Sequence, residues 1–119
     1  METSLFDKYG GFSTVSRIVL SLYDKILDDD DIGPFFDDID MPRLMDHQTK
    51  FVSSLMGGPA SFTDDHLVRA HAKLDLRDAH FDRLNELLTM TLVEFSVEAD
   101  DITTIVGAIE ARRELLRKD

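Results

Sequence analysis

Residues 34–51, PFFDDIDMPRLMDHQTKF, lead from an aromatic pair through acidic turns into a helix with polar side chains on its apolar face. Asp40 is a good cap for this helix, and proline is tolerated in the first turn, where Pro42 falls. Gly57 marks its end, so the predicted helix runs from about Met41 to Met56.

Gln48 lies in the middle of the apolar stripe of this helix, which consists of Leu44, Phe51, Val52 and Leu55. A buried amide needs hydrogen-bond partners. His47 is the preceding residue and falls at the edge of the same face. Two alternatives remain open: Gln48 and His47 serve a site in the interior, or Gln48 bonds to a loop carbonyl and His47 is half exposed.

An earlier helix offers a third polar group, Tyr23, to the same interior. The helix is predicted from Phe12, with Ser13 or Thr14 as its cap and the acidic run 28–31 as a solvated corner at its end. A buried tyrosine normally finds a partner for its hydroxyl group, which could equally be a backbone carbonyl. The helical spacing is formed by Val15, Ile18, Val19, Leu22, Tyr23, Ile26 and Leu27.

The remaining chain also has helical periodicity. Residues 5–11 form a short turn, Phe35 and Phe36 should point inward, and residues 60–67 are a loop. Residues 67–74 form a short helical piece that directs His71 inward, either as a metal ligand or as a hydrogen-bonded core residue. No strand pattern is present, so we expect an all-α single domain over residues 1–119.

Two more helices complete the predicted core. Asp78 should cap the first, with His80 partly exposed and bonded to a neighbouring loop. The second should begin near Ser96 and end in basic residues that complement its dipole. Their apolar faces are Phe81, Leu84, Leu87, Leu88, Thr91, Leu92 and Phe95 in the first, and Ile102, Ile105, Val106, Ile109 and Leu116 in the second.

Composition excludes several function classes. The chain of 119 residues has no cysteine, which excludes disulfides, zinc–thiolate sites and iron–sulfur clusters. Its net charge of −11 argues against nucleic acid and anionic membranes as partners. The amino terminus lacks the features of a secretory signal, and no apolar segment reaches membrane-spanning length, so a cytoplasmic protein is expected.

The order and spacing of several motifs resemble the group I truncated haemoglobins from about Leu5 to about Leu116. These motifs are KYGG, LY in the middle of a helix, PFF, DMxxLxxHQxxF, GGP, AHxxL and HFDxL. The resemblance implies a two-over-two helical sandwich around haem b. It also implies binding of dioxygen, carbon monoxide or nitric oxide.

The resemblance assigns roles to individual residues. His71 matches the proximal histidine that bonds the iron, and Tyr23 and Gln48 match distal groups that donate hydrogen bonds to the ligand. His47 matches a histidine that binds the iron from the distal side in some members. No histidine follows His80, so covalent attachment of haem through a late histidine is not expected. Residues expected around the cofactor are Phe36, Leu44, Phe51, Val52, Leu76, Phe81 and Leu84, with Arg69, Lys50 and Lys73 as candidates to meet the haem propionates.

Two function classes use the same pocket. One is reversible binding of a diatomic ligand for transport, storage or sensing; the other is oxidation of nitric oxide to nitrate by bound dioxygen. The enzyme would need an external reductase, because the chain has no flavin or nicotinamide fingerprint. A haem-free helical interaction domain is a third possibility, which a visible spectrum of the purified protein would test.

Overall fold

The computed structural model describes residues 3–59, 68–69, 71–72 and 74–117, and these parts are helices joined by turns. Within those ranges there is no strand, which confirms the all-α prediction. The predicted loop 60–67 and Lys73 lie outside the described residues. Val68, Arg69 and His71 are helical, as predicted. In chain order the helices are α1 (Leu5–Lys8), α2 (Gly11–Asp28), a 3-10 helix (Gly33–Phe36), α3 (Met41–Leu55), α4 (Asp78–Glu94), α5 (Ala99–Glu110) and α6 (Arg113–Leu116).

Helix α2 forms the centre of the core because it packs against both α3 and α4, and α4 packs in turn against α5. Most of the predicted stripe of α2 is buried, whereas Leu27 is 47% exposed and Phe12 is 44% exposed on the outer surface. None of the helices in the described part of the chain is long and apolar enough to cross a membrane. The buried residues of α2 are Val15, Ile18, Val19, Leu22, Tyr23 and Ile26.

The prediction of Ser13 or Thr14 as the cap of α2 was wrong. The cap is Gly10, whose φ of 107° lies in the left-handed region, and Gly11 has a φ of 72°. Two adjacent glycines can turn the chain directly into the helix at little cost. Helix α2 therefore starts earlier than predicted, and Thr14 lies within its first turn.

Asp78 is likewise not the cap of α4 but its first residue. The backbone N–H of Arg77 donates to Nδ1 of His80 at 2.9 Å. His80 therefore supplies the hydrogen-bond acceptor at the amino-terminal end of α4. The Asp78 carboxylate instead pairs with Arg113 and Arg117 at 3.3 and 3.2 Å. These two contacts tie α4 to the carboxyl-terminal residues.

The prediction that the acidic corner 28–31 is solvated was wrong for Asp29. The side chain of Asp29 is only 7% exposed and pairs with Arg83 of α4 at 2.5 Å. It also accepts hydrogen bonds from the backbone N–H groups of Asp31 and Ile32. The Arg83 contact, supported by these backbone bonds, lowers the pKa of Asp29 below its usual range.

The last predicted helix begins later than expected and is divided in two. Ser96 has a φ of 60°, a left-handed conformation that an α-helix cannot include, so α5 starts only at Ala99. A turn at residues 111–112 then separates α5 from α6. Ile105 is fully buried, while Ile102, Val106, Ile109 and Leu116 are half-buried.

Asp40 caps α3 as predicted, with its side chain accepting the backbone N–H of Arg43 at 3.3 Å. The helix ends at Leu55, with Met56 as its carboxyl-terminal cap. This placement sets the register of His47 and Gln48 on the inner side of α3.

Candidate functional site

A cavity of about 340 Å³ opens inside the helical core. All the long helices contribute to its wall, which is mainly apolar. A wider depression at Asp82, Asn85 and Glu86 is a shallow feature of the outer surface of α4. Among the apolar residues that line the inner cavity are Val19, Leu22, Ile26, Ile32, Phe35, Phe36, Leu44, Phe51, Val52, Leu74, Leu76, Phe81, Leu84, Leu88 and Ile109.

Tyr23 and Gln48 meet at this cavity. Nε2 of Gln48 donates a hydrogen bond to the hydroxyl oxygen of Tyr23 over 3.0 Å. The Tyr23 ring packs edge-on against Phe36, with ring centroids 5.4 Å apart. Helices α2 and α3 therefore bring together two polar side chains that are distant in sequence.

Burial determines the protonation state of Tyr23. The side chain is 8% exposed, and this desolvation raises its pKa to about 12, although the hydrogen bond from Gln48 acts in the opposite direction. Tyr23 is therefore protonated near neutral pH. Its oxygen accepts from Gln48, and no acceptor for its proton is found in the described part of the chain. The proton is available to a ligand in the cavity.

Among the described residues, three histidines also line the cavity: His47, His71 and His80. All three are half-buried. The position of His80 in the cavity wall was not predicted from the sequence. The Nδ1 atom of His80 already accepts a hydrogen bond from the backbone N–H of Arg77. His80 also packs edge-on against Phe35, with ring centroids 5.0 Å apart.

All the apolar residues predicted around the cofactor line the same cavity. Two of the three predicted cationic partners do not: Arg69 is exposed and absent from the wall, and Lys50 pairs with Asp46 on the surface at 3.0 Å. A contact of Arg69 with a cofactor stays a prediction. Apolar residues brought together here are Phe36, Leu44, Phe51, Val52, Leu76, Phe81 and Leu84.

Arg112 is a cavity residue that the sequence analysis missed. The sequence predicts it only as one of the basic residues that complement the helix dipole. The sequence contains a pattern that indicates this position, because Ile109, Arg112 and Leu116 are spaced to share one helical face. All three do line the cavity.

The cavity has the properties that haem requires. Its wall is apolar on several sides, which suits a flat porphyrin, and His71 provides an imidazole of the type that binds haem iron. The buried Nε of Arg112 has no hydrogen-bond partner among the residues described, and it can meet a carboxylate. The residues that line this cavity therefore fit a bound haem.

Comparisons with known proteins agree with this geometry. The family model described as bacterial-like globin matches residues 4–117. The group 1 truncated haemoglobin of Tetrahymena pyriformis is 32% identical over 116 residues, covering 97% of this chain and 96% of that protein. A group 1 truncated haemoglobin of Synechocystis is 32% identical over 123 residues and covers 98% and 99% of the two chains.

Solved structures show the same fold. The T. pyriformis protein in its Fe(III) form has a TM-score of 0.89 at 30% identity, covering 98% of this chain and all of that one. A 2/2 haemoglobin of Synechococcus, in the cyanomet state with covalently attached haem, has a TM-score of 0.84 at 35% identity and covers 96% and 98%. The predicted two-over-two helical sandwich is thereby confirmed. This chain belongs to the group 1 truncated haemoglobins, globins that bind haem and small ligands.

Proposed function

We propose that this protein binds dioxygen reversibly at the iron of a haem b held by His71, and that carbon monoxide and nitric oxide can occupy the same site. The hydrogen bond between Gln48 and Tyr23, inside the cavity that His71 lines, is the observation that carries the proposal. Because Gln48 occupies the Tyr23 oxygen, the Tyr23 hydroxyl proton can be donated to a ligand in a cavity whose wall is mainly apolar.

Haem b, when bound, would supply an iron that can bind both an imidazole and a diatomic ligand. The side chain of His71 would hold the iron as a neutral imidazole. Tyr23 would donate its hydroxyl proton to a ligand that carries partial negative charge. Gln48 orients that hydroxyl by donating to its oxygen, and the apolar wall excludes water, which strengthens the interaction.

Structures of the T. pyriformis relative give further support. That protein was solved with a tyrosine replaced by phenylalanine and with each of two glutamines replaced by glutamate. The three substituted positions are spaced along that chain as Tyr23, Leu44 and Gln48 are spaced here. Leu44 is apolar where that relative has a glutamine, so Tyr23 and Gln48 would be the two polar groups from these three positions.

The donor pair can be tested by measuring dioxygen dissociation from Tyr23→Phe, Gln48→Leu and the double variant. Removal of a hydrogen bond to a charged acceptor costs about 1.5 to 3 kcal/mol, or roughly a tenfold to hundredfold faster release. The two effects should be coupled because Gln48 acts partly through Tyr23. Tyr9→Phe is the matched control, since Tyr9 bonds to Asp101 outside the cavity. Unchanged rates in both single variants would show that neither residue meets the ligand.

The assignment of His71 is tested by His71→Ala, which should lose haem or hold it weakly. His80→Ala is the comparison, because His80 lines the same cavity but its Nδ1 is already bonded. We expect the second variant to keep its Soret band. A full spectrum in His71→Ala would instead assign the iron to His47 or His80.

Oxidation of nitric oxide to nitrate is the alternative use of this pocket. It would need the same donors and an external reductase that returns the iron to its ferrous form. Sustained nitrate production with a reductase and a reductant present would favour this enzyme function. A single turnover followed by an inactive ferric protein under the same conditions would favour reversible binding.

A further inference from the structure

Arg112 places a guanidinium group at the cavity wall, in the turn between α5 and α6. The side chain is half-buried, and its guanidinium lies 5.8 Å from the centroid of the Phe51 ring. Nη1 donates to the backbone carbonyl of Ala108. Its Nε is buried and has no hydrogen-bond partner within the described ranges.

The neighbouring Arg113 allows the partners of two guanidinium groups in the same turn to be compared. Its guanidinium also packs on a phenylalanine of the cavity wall, Phe81, at 5.5 Å. Unlike Arg112, it is surrounded by carboxylates: Asp82 at 2.7 Å, Glu110 at 3.0 Å and Asp78 at 3.3 Å. Its buried Nε makes no well-directed hydrogen bond, but that atom is the one 3.0 Å from the Glu110 carboxylate. The charge of Arg113 is therefore balanced by the protein itself.

The charge of Arg112 is not balanced in this way. The chain has 24 acidic residues, yet none of the described carboxylates forms an ion pair with Arg112. A buried charge is costly unless it meets an opposite charge or hydrogen bonds, and a ring face compensates only part of that cost. Two nitrogens of a guanidinium match the two oxygens of a carboxylate.

We propose that Arg112 binds a carboxylate inside the cavity, and that this carboxylate is a propionate of the bound haem. The inference rests on the haem site of the proposed function and adds a residue to it. It moves the principal cationic contact from Arg69, the residue predicted from the sequence, to the turn between α5 and α6. A free carboxylate or nitrate ion has the same chemistry and is the alternative occupant that the experiment must separate.

The test combines a protein variant with a cofactor variant. The unmutated protein, Arg112→Met and Arg112→Lys are each reconstituted with haem and with haem dimethyl ester, whose propionates carry no charge. The rate of cofactor loss to an excess of a haem-scavenging apoglobin is then measured for every combination. Arg17→Met is the matched control, because Arg17 is exposed on α2 and its hydrogen bonds among the described residues go to neighbouring Ser13 and Thr14.

We expect Arg112→Met to lose haem about tenfold to a hundredfold faster than the unmutated protein, the range for a hydrogen bond between charged groups. Arg112→Lys should fall between them, since it keeps the charge but not the paired donors. With the dimethyl ester, the unmutated protein and Arg112→Met should lose the cofactor at equal rates. Arg17→Met should not differ from the unmutated protein with either cofactor.

Three results would overturn the proposal. Unchanged haem loss in Arg112→Met would show that Arg112 holds no propionate, and a normal spectrum in that variant would leave the proposed function standing. Equally accelerated loss of haem and ester would assign Arg112 a packing role. A Soret shift on adding formate or nitrate to the unmutated holoprotein, absent in Arg112→Met and combined with equal loss of haem and ester, would identify a free anion as the occupant.

Discussion

Burial sets the protonation state of Tyr23, because desolvation is the main cause of its raised pKa. Its raised pKa keeps the hydroxyl protonated, while Gln48 occupies the oxygen and leaves the proton for a ligand. The same burial makes ionisation of Tyr23 less favourable in the folded protein than in the unfolded chain. Tyr23 therefore also links the stability of the protein to alkaline pH.

The alkaline stability of the fold should depend on Tyr23. Its pKa is raised from 10.0 to about 12, so its contribution is complete below pH 10 and is lost as the pH rises through 12. The expected loss is about 2 to 3 kcal/mol. Thermal unfolding across this range should show a steeper decline for the unmutated protein than for Tyr23→Phe. Since the chain has two tyrosines, ultraviolet titration of Tyr23→Phe also isolates Tyr9. Parallel unfolding curves would contradict the pKa assignment.

His47 is the second prediction for a single residue. Neighbouring residues of a helix point about 100° apart, yet both His47 and Gln48 line the cavity. We expect His47 to coordinate the iron when no external ligand is present. The ferrous protein should then have a low-spin spectrum, with ligand capture that saturates at the rate of His47 release, and His47→Ala should be high-spin. A high-spin ferrous spectrum in the unmutated protein would exclude this role.

At the scale of helices, the ends of each element determine which side chains reach the cavity. Helix α3 carries both His47 and Gln48, and its first turn is held by the Asp40 cap. The turn between α5 and α6 likewise brings Arg112 to the wall beside Phe51. A change at a helix end should therefore affect the site as well as stability.

Asp40→Ala should destabilise the protein by about 1 kcal/mol, because the backbone N–H of Arg43 loses its acceptor. Asp38→Ala is the matched control, since it removes the same charge from an exposed position with no hydrogen bond found in the described part of the chain. Denaturant unfolding of the two variants distinguishes the stability lost with the capping hydrogen bond from the effect of removing a negative charge. Equal stability of Asp40→Ala and Asp38→Ala would show that the cap contributes nothing.

For the whole molecule, net charge is the dominant long-range term. A net charge of −11 is distributed over a body 42 Å long and 26 to 29 Å across. At low ionic strength the Debye length, about 30 Å at 0.01 M, is comparable with these dimensions, so the carboxylates repel one another across the molecule. Surface ion pairs such as Lys8 with Glu98 contribute little against this repulsion.

We therefore predict that the melting temperature rises when the ionic strength is increased from about 0.01 to about 0.1 M, where the Debye length falls to about 10 Å. Asp30→Asn, at an exposed position in the acidic corner, should reduce this dependence. Thermal unfolding in sodium chloride provides the measurement. A melting temperature that falls with salt would mean that ion pairs, such as Asp29 with Arg83, outweigh the repulsion.

Local patterns in the sequence were sufficient for much of this protein. The spacing of Leu44, Gln48 and Phe51 placed an amide on an apolar helical face because helix geometry depends only on near neighbours. The Asp40 cap is local in the same way. The resemblance of motif order added the roles of Tyr23 and His71, which periodicity left open.

Only the tertiary structure decided contacts between residues distant in the chain. Burial of Asp29 depends on Arg83 of a different helix. The spacing of Ile109, Arg112 and Leu116 indicates a shared face, but the contact of Arg112 with Phe51 at the cavity depends on the packing of the turn at residues 111–112. The start of α2 at Gly11, capped by Gly10, follows from backbone angles that the glycine pair permits but does not require. These features arise when separate helices pack, because packing determines which charges lose water and which partners they meet.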